Sequence, residues 1–236
     1  MIILAIGSAA RPVSIALFKD NKLLGLRLGA WPGEELMPQI QSLVKDEHLS
    51  LRKINVFAAV HGPGAFTCLR IGLTTAKTLA QITGQRLVTV DALEATAAQL
   101  VPHDATVVVT QKACRDEYNV ALFGATPLRR LTPNAVATQA VLLALLGDTN
   151  GQPVLAGDGA QELHQLLVKT HKRTQVRLAL GADGMLTANG VGLVAYRHAK
   201  QKIFADPLQA APVYSHSPNI IFSQRINYEK LAAAPR

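Results

Sequence analysis

The tightest constraint on this chain is a strand that runs without a spacer into a glycine-flanked proline and then into a long helix. Val56-Phe-Ala-Ala-Val60 is a short apolar run of the kind that makes a buried strand. His61-Gly-Pro-Gly-Ala-Phe-Thr67 follows at once, and helix-forming residues continue to Thr83, with Gly84 placed as a C-cap. Glycines permit a backbone path that side chains would block. The segment therefore reads in two ways. One is a tight strand-to-helix turn. The other is an anion cradle, because free N–H groups at a helix start receive groups such as phosphate. It is not a P-loop, since no Lys follows the final glycine.

The helix expected over residues 67–83 has an unusual surface. Leu69, Ile71, Leu73, Ala76, Leu79, Ala80 and Ile82 are apolar, and the long polar side chains Arg70, Lys77 and Gln81 fall in one narrow stripe. A surface helix ordinarily carries a broad polar face. This one reads as covered on two sides, by its own sheet and by a second body. That body is either a partner subunit or the rest of its own lobe.

Around this unit the chain repeats a pattern. Residues 2–6, 13–18 and 23–28 read as a strand meander, and residues 34–47 as a helix with Leu36, Ile40, Leu43 and Val44 on one face. A strand at 87–90 follows, and Asp91 is placed to cap a helix reaching residue 100. The order then restarts with a hairpin over 106–110 and 118–123, a strand at 154–156, and helices over 134–146, 161–169 and 183–198. Two such halves predict a duplicated architecture. The expected division is a first lobe over 1–101, a second over 102–200, and a C-terminal segment over 201–236 that returns toward the first lobe. A mobile tail is expected beyond Tyr214.

Composition excludes several classes. Of 236 residues, 49% are hydrophobic and 17% charged, which is the balance of a packed globular protein. The net charge of +8 favours acidic partners, with the densest basic groups at 169–177 and 197–202. No aromatic platform is interleaved with them, so single-strand stacking is not indicated. Cys68 and Cys114 form no metal or redox spacing and read as free thiols of a reducing compartment. No Lys or Arg precedes Arg11, and Arg11-Pro12 divides the apolar N-terminus, so a signal peptide is not expected. With no membrane span either, the expected location is cytoplasmic.

Catalytic signals are mostly negative. No two of the seven histidines are four residues apart, so neither HxxxH nor HExxH occurs. No GxSxG elbow is present. Asp158, between two glycines, reads as a turn residue.

The run GPGAFTCLRIGLTTAKTLA resembles the GPGSFTGLRIG signature of the bacterial TsaB (YeaZ) family. Ile2–Ile6 with Val13–Leu17 resembles that family's first hairpin, Glu117 with Val120–Phe123 its second, and Pro212-Val-Tyr214 its PVY segment. The resemblance implies the two-lobed α/β fold of actin, hexokinase and Hsp70-type ATPases. It also implies a noncatalytic subunit in the formation of N6-threonylcarbamoyladenosine at position 37 of ANN-decoding tRNAs. The implied partners are a TsaD-like catalytic subunit, a TsaE-like ATPase, tRNA through the complex, or a second copy through the same helices. The missing HxxxH pair fits TsaB rather than TsaD. ATP and iron or zinc would then belong to the partner subunits, with no cofactor or metal expected on this chain.

By the same resemblance, Gly62, Pro63, Gly64, Phe66, Thr67 and Arg70 are the family motif or a nucleotide- or anion-binding loop. Leu36, Ile40, Leu43, Leu73, Lys77 and Gln81 are expected at the partner interface. The sequence also departs from the family pattern. Gly7 and Gln111-Lys112 stand where loop aspartates are usual, Ala65 replaces Ser, Cys68 replaces Gly, and His216 stands in place of Arg. Such carboxylates organise Mg²⁺ and water in ATPases of this fold, so nucleotide hydrolysis is not expected. The alternatives are a glycoprotease-type peptidase or nucleotide hydrolase, and a diverged paralogue with another partner.

Overall fold

Strands β1 (Ile2–Gly7), β2 (Val13–Lys19) and β3 (Lys22–Gly29) form an antiparallel meander, with β1 and β2 in register from Ile2↔Lys19 to Gly7↔Ser14. In this computed structural model, residues 1–10, 12–100, 105–114, 116–124, 127–147, 152–171, 176–179 and 181–215 are described. The expected mobile tail beyond Ser215, with His216, and His103 lie outside them; Ser215 itself pairs with Asn119. Strands β4 (Val56–Gly62) and β5 (Arg86–Asp91) add in parallel, giving the sheet order β3-β2-β1-β4-β5. Strands β1 and β4 are covered on both faces, which is why they are nearly continuous apolar runs.

Each face has its own core. On one, Leu4, Ile6, Phe57 and Ala59 meet α1 (Leu36–Asp46) and α2 (Phe66–Thr83). On the other, Ile3, Ala5, Val56 and Ala58 meet α3 (Ala92–Ala98) and α6 (Ala188–Lys200).

The second sheet contains β6 (Val107–Lys112), β7 (Glu117–Gly124), β8 (Arg129–Arg130), β10 (Val154–Ala156) and β11 (Arg177–Leu178), while β9 (Ala135–Thr138) pairs with β7. Its order, β8-β7-β6-β10-β11, repeats that of the first sheet. The orientations repeat as well: β6–β7 is antiparallel, and β6–β10 and β10–β11 are parallel. The duplication inferred from element order is therefore present in the topology. Helices α4 (Gln139–Gly147) and α5 (Ala160–His171) pack on this sheet through Leu142, Leu146, Leu163 and Leu167.

Three expectations need correction. The helix expected over 134–146 begins as β9, because Ala135 to Thr138 pairs with Val120 to Glu117 before the chain turns helical. The helix expected over 183–198 starts at Ala188, where Thr187 caps it by accepting from the Asn189 N–H at 3.2 Å. Residues 102–200 are not one lobe, because α6 packs on the first sheet. Glycines make that approach feasible. A Cβ at Gly190 would stand 2.0 Å from the Ala95 carbonyl oxygen, and one at Gly192 would stand 2.0 Å from the Phe18 ring.

Helix α3 is shared between the cores. Ala92, Ala95 and Ala98 face the first, and Leu93 and Ala97 face the second. Its N-terminus is an ionic junction. Asp91 accepts from the Glu94 N–H at 2.9 Å, from Arg130 at 2.8 Å and from Asn134 at 2.5 Å. Glu94 pairs with Arg197 on α6 and lies 3.9 Å from Arg130. Acids at a helix start also oppose the positive end of its dipole.

Replacing Arg130 with Ala is expected to cost about 1–3 kcal/mol, since it strips charge-assisted bonds from half-buried carboxylates. Gly190→Ala is expected to cost a similar ~1–3 kcal/mol through overpacking. Thermal melts check both, and only the Arg130 effect is expected to shrink in high salt.

Candidate functional site

The loop between β4 and α2 is held from both sides. The Gly62–Pro63 peptide is cis, and Gly62 has φ 142°. A Cβ at Gly62 would stand 2.1 Å from the Val213 carbonyl oxygen, so this position requires glycine. The Val213 N–H donates to the His61 carbonyl at 2.7 Å. On the other side, the Ala65 N–H donates to the Ala9 carbonyl at 2.8 Å, and a Cβ at Gly64 would stand 2.6 Å from that same oxygen. The space beside each glycine is filled by the chain's own backbone. The geometry is that of a packed turn.

Helix α2 begins at this turn. A Cβ at Gly72 would stand 2.0 Å from Ser8 Oγ, so the helix lies directly on the β1–β2 loop. Phe66 stacks on Tyr214, with ring centroids 5.0 Å apart and planes 27° apart. The Arg70 guanidinium covers the Phe66 ring at 3.8 Å and donates from Nε to the Tyr214 hydroxyl at 3.0 Å. Thr67 is exposed on the first turn of the helix.

Residues 205–215 form a strap along the lobe. The Ala205 N–H donates to the Leu87 carbonyl at 2.9 Å, Lys77 Nζ to the Ala210 carbonyl at 2.6 Å, and Ser215 pairs with Asn119 of the second sheet. The motif and the Pro212-Val-Tyr214 segment, 144 residues apart between Arg70 and Tyr214, therefore form one structure. The second cover over α2 includes the chain's own C-terminal segment.

The expected interface residues divide. Leu36, Ile40, Leu43 and Leu73 lie inside the first core, none more than 3% exposed, so they present no surface to a partner. The reason is that the apolar stripe of α1 faces its own sheet, and Leu73 lies on the sheet side of α2. Lys77 is half-buried against the strap, and Gln81 is exposed. The open surface is a different stripe. Met37, Ile71, Thr74, Thr78 and Ile82 line a groove of about 520 Å³, and Ile82 is 72% exposed. Thr74, Thr78 and Ile82 are spaced i, i+4, i+8, a signal present in the sequence but masked by the dense apolar run around it.

The loops that end β1 and β6 are each packed within their own half. Ser14 Oγ donates to the Gly7 carbonyl at 3.3 Å and accepts from the Ala188 N–H at 2.8 Å. A Cβ at Gly7 would stand 2.7 Å from Ser14 Oγ and 2.8 Å from Ala188 N. In the second half, the Lys112 N–H donates to Asp158 at 2.7 Å, and a Cβ at Gly157 would stand 2.0 Å from the Thr110 carbonyl oxygen. Burial pushes the Asp158 carboxyl up, partly offset by the Lys112 N–H and charge. Asp158 is thus a loop-to-loop fastener as well as a turn residue. The Lys112 ammonium pairs with Glu162 at 2.5 Å, a bond that raises the lysine and lowers the carboxyl. Among the described residues, no group of three or more His, Cys, Asp or Glu side chains is placed to hold a metal ion.

Residues 33–166 match the family model described as TsaD: tRNA N6-adenosine threonylcarbamoyltransferase. That span is more than half of the chain. The chain belongs to this family.

Curated relatives agree with it. The tRNA threonylcarbamoyladenosine biosynthesis protein TsaB of Escherichia coli K12 is 36% identical over 83 residues, covering 34% of this chain and 36% of that protein. TsaB of Bacillus subtilis is 32% identical over 101 residues, covering 42% and 44%. The matched chain thus spans between a third and a half of the length of these relatives. Among solved structures, YeaZ from Pseudomonas aeruginosa matches with a TM-score of 0.73 at 22% identity, covering 91% of this chain and all of that one. The ROK hexokinase from Thermus thermophilus matches at 0.52 and 13% identity, covering 85% and 100%. These likenesses establish the actin- and hexokinase-like fold. Among the described residues, no helix is long and apolar enough to cross a membrane.

Tyr214→Ala is expected to release the strap. Limited proteolysis should then cut within residues 205–215 several times faster than in the parent, and equal rates would show that the ring stack is not what holds it. Acid should also weaken the fold. Burial, with Arg197 and His61 acting in the same direction and Glu94 opposing, holds His198 below its ordinary 6.5. The unfolded chain then binds a proton that the folded chain refuses, so stability falls as pH drops through 6.5. His198→Gln should flatten that part of a stability–pH curve measured by denaturant titration.

Proposed function

We propose that this chain is a noncatalytic, cytoplasmic subunit in the formation of N6-threonylcarbamoyladenosine in tRNA, and that it holds a TsaD-like catalytic subunit against its α1–α2 face. The observation that carries this reading is the contrast between two surfaces. The α2 groove, lined by Met37, Ile71, Thr74, Thr78 and Ile82, is open and largely apolar. The first loop, by contrast, has no room at Gly7 for a side chain that could carry a carboxylate. An apolar helix face with small β-branched residues suits close helix-to-helix contact.

The residues of the two loops do not fit a Mg²⁺–nucleotide. A carboxylate at position 7 would collide with Ser14 and with the backbone of α6. The second loop offers Gln111 and Lys112, neither of which binds Mg²⁺ as a carboxylate does. Catalysis and its ATP and metal then rest with the TsaD-like and TsaE-like subunits. The same face serves a homodimer when the partner is absent, and tRNA meets the chain within the complex.

Co-expression with a TsaD-type subunit and affinity capture tests the reading. The parent chain is expected to capture that subunit, while Ile82→Glu combined with Thr78→Arg should reduce capture at least tenfold without lowering the melting temperature. Substitutions at Leu73 test folding instead, because it is a core residue. Failure of the folded parent chain to capture the subunit would overturn the proposal.

A further inference from the structure

One end of the first sheet gathers cations from four separate parts of the sequence. Lys19 and Lys22 face each other across the β2–β3 turn, and Ile2 pairs with Lys19 at the start of β1. Arg86 opens β5 opposite Val56, and Lys53 lies just before β4. Lys200 ends α6 and Lys202 follows it, and Lys200 is close enough to act on Asp20 in the β2–β3 turn. All six cationic side chains are exposed, and none is in an ion pair among the described residues. Two acids at this end already have other partners. Asp20 binds the Met1 amine at 2.9 Å, and Asp206 accepts from the Leu208 N–H at 2.8 Å. Gly7, His61 and Asp91 mark the opposite end of the same strands, where the motif and the first loop lie.

We infer that this basic rim is a contact surface for the phosphate backbone of a double-helical RNA stem. Five strands about 4.8 Å apart make an edge roughly 19 Å long, enough to follow several successive phosphates. Backbone contact by Lys and Arg supplies affinity without base readout, which is how proteins grip A-form stems. Stacking on single-stranded bases is not offered here. Phe204, the aromatic at the rim, has its ring covered by the Arg86 guanidinium at 5.3 Å. The assignment to RNA rests on the proposed role in tRNA modification. The position of the rim adds that this contact is made at the end of the lobe remote from the motif.

The test uses the full chain and folded bulk tRNA, with fluorescence anisotropy at several salt concentrations. The parent is expected to bind with steep salt dependence. The combined Lys19→Gln, Lys22→Gln, Lys200→Gln, Lys202→Gln variant should bind at least tenfold more weakly, with the log–log salt slope shallower by about 3. A control with Arg129→Gln and Lys169→Gln on the second lobe should match the parent. Circular dichroism melts confirm that both variants fold. Parent-like tRNA binding by the four-lysine variant would overturn the inference. So would binding of the parent to phosphatidylserine vesicles but not to tRNA. Capture of a TsaD-type subunit by the same variant is scored separately. Retained capture with lost tRNA binding supports the rim, and absent capture in both parent and variant counts against the pairing alone.

Discussion

The fold depends on the close approach of α3 and α6 between and beneath the two sheets. Helix α3 has almost no side-chain bulk, and its alanines let it lie in both cores at once. Gly190 and Gly192 let α6 press against α3 and β2 at distances no side chain would allow. Interiors pack at near-crystalline density, so a contact made by backbone on both sides has few ways to relax. The ionic junction of Asp91, Glu94, Arg130 and Arg197 then sits where three elements meet and sets how the halves face each other.

That arrangement explains why the first loop of an ATPase-like fold is filled while a stripe on α2 stays open. The N-terminus of α6 seals the first loop through Ser14, and residues 205–215 run on from α6 to grip the motif. The stripe ending at Ile82 stays uncovered on α2. Loss of the loop carboxylate and the seating of α6 are two aspects of one packing solution, because the space an aspartate would need is taken by backbone.

Much of this was legible in the sequence. Strand periodicity, the glycine-flanked turn, the Asp91 cap and the repeated order of elements all rest on local chemistry, and the topology repeats as that order implied. The placement of α6 was not legible, since its glycines mark a close approach without naming the neighbour. The interface residues were misread for a related reason. Leu36, Ile40, Leu43 and Leu73 satisfy a helical stripe equally well whether it faces the home sheet or a partner, and burial decides between them. The clasp of Phe66, Arg70 and Tyr214 joins segments that a pattern read along the chain cannot connect.

The strap has a consequence for the order in which the molecule can be completed. Two parts of the first lobe, α6 and residues 205–215, are synthesised after the whole of the second sheet. The turn at Gly62 lacks its Val213 partner, and β5 its Ala205 partner, until then. Folding therefore does not proceed lobe by lobe from the ribosome. The first lobe must wait for residues 205–215, and α2 reaches its finished setting only after the second half has been made.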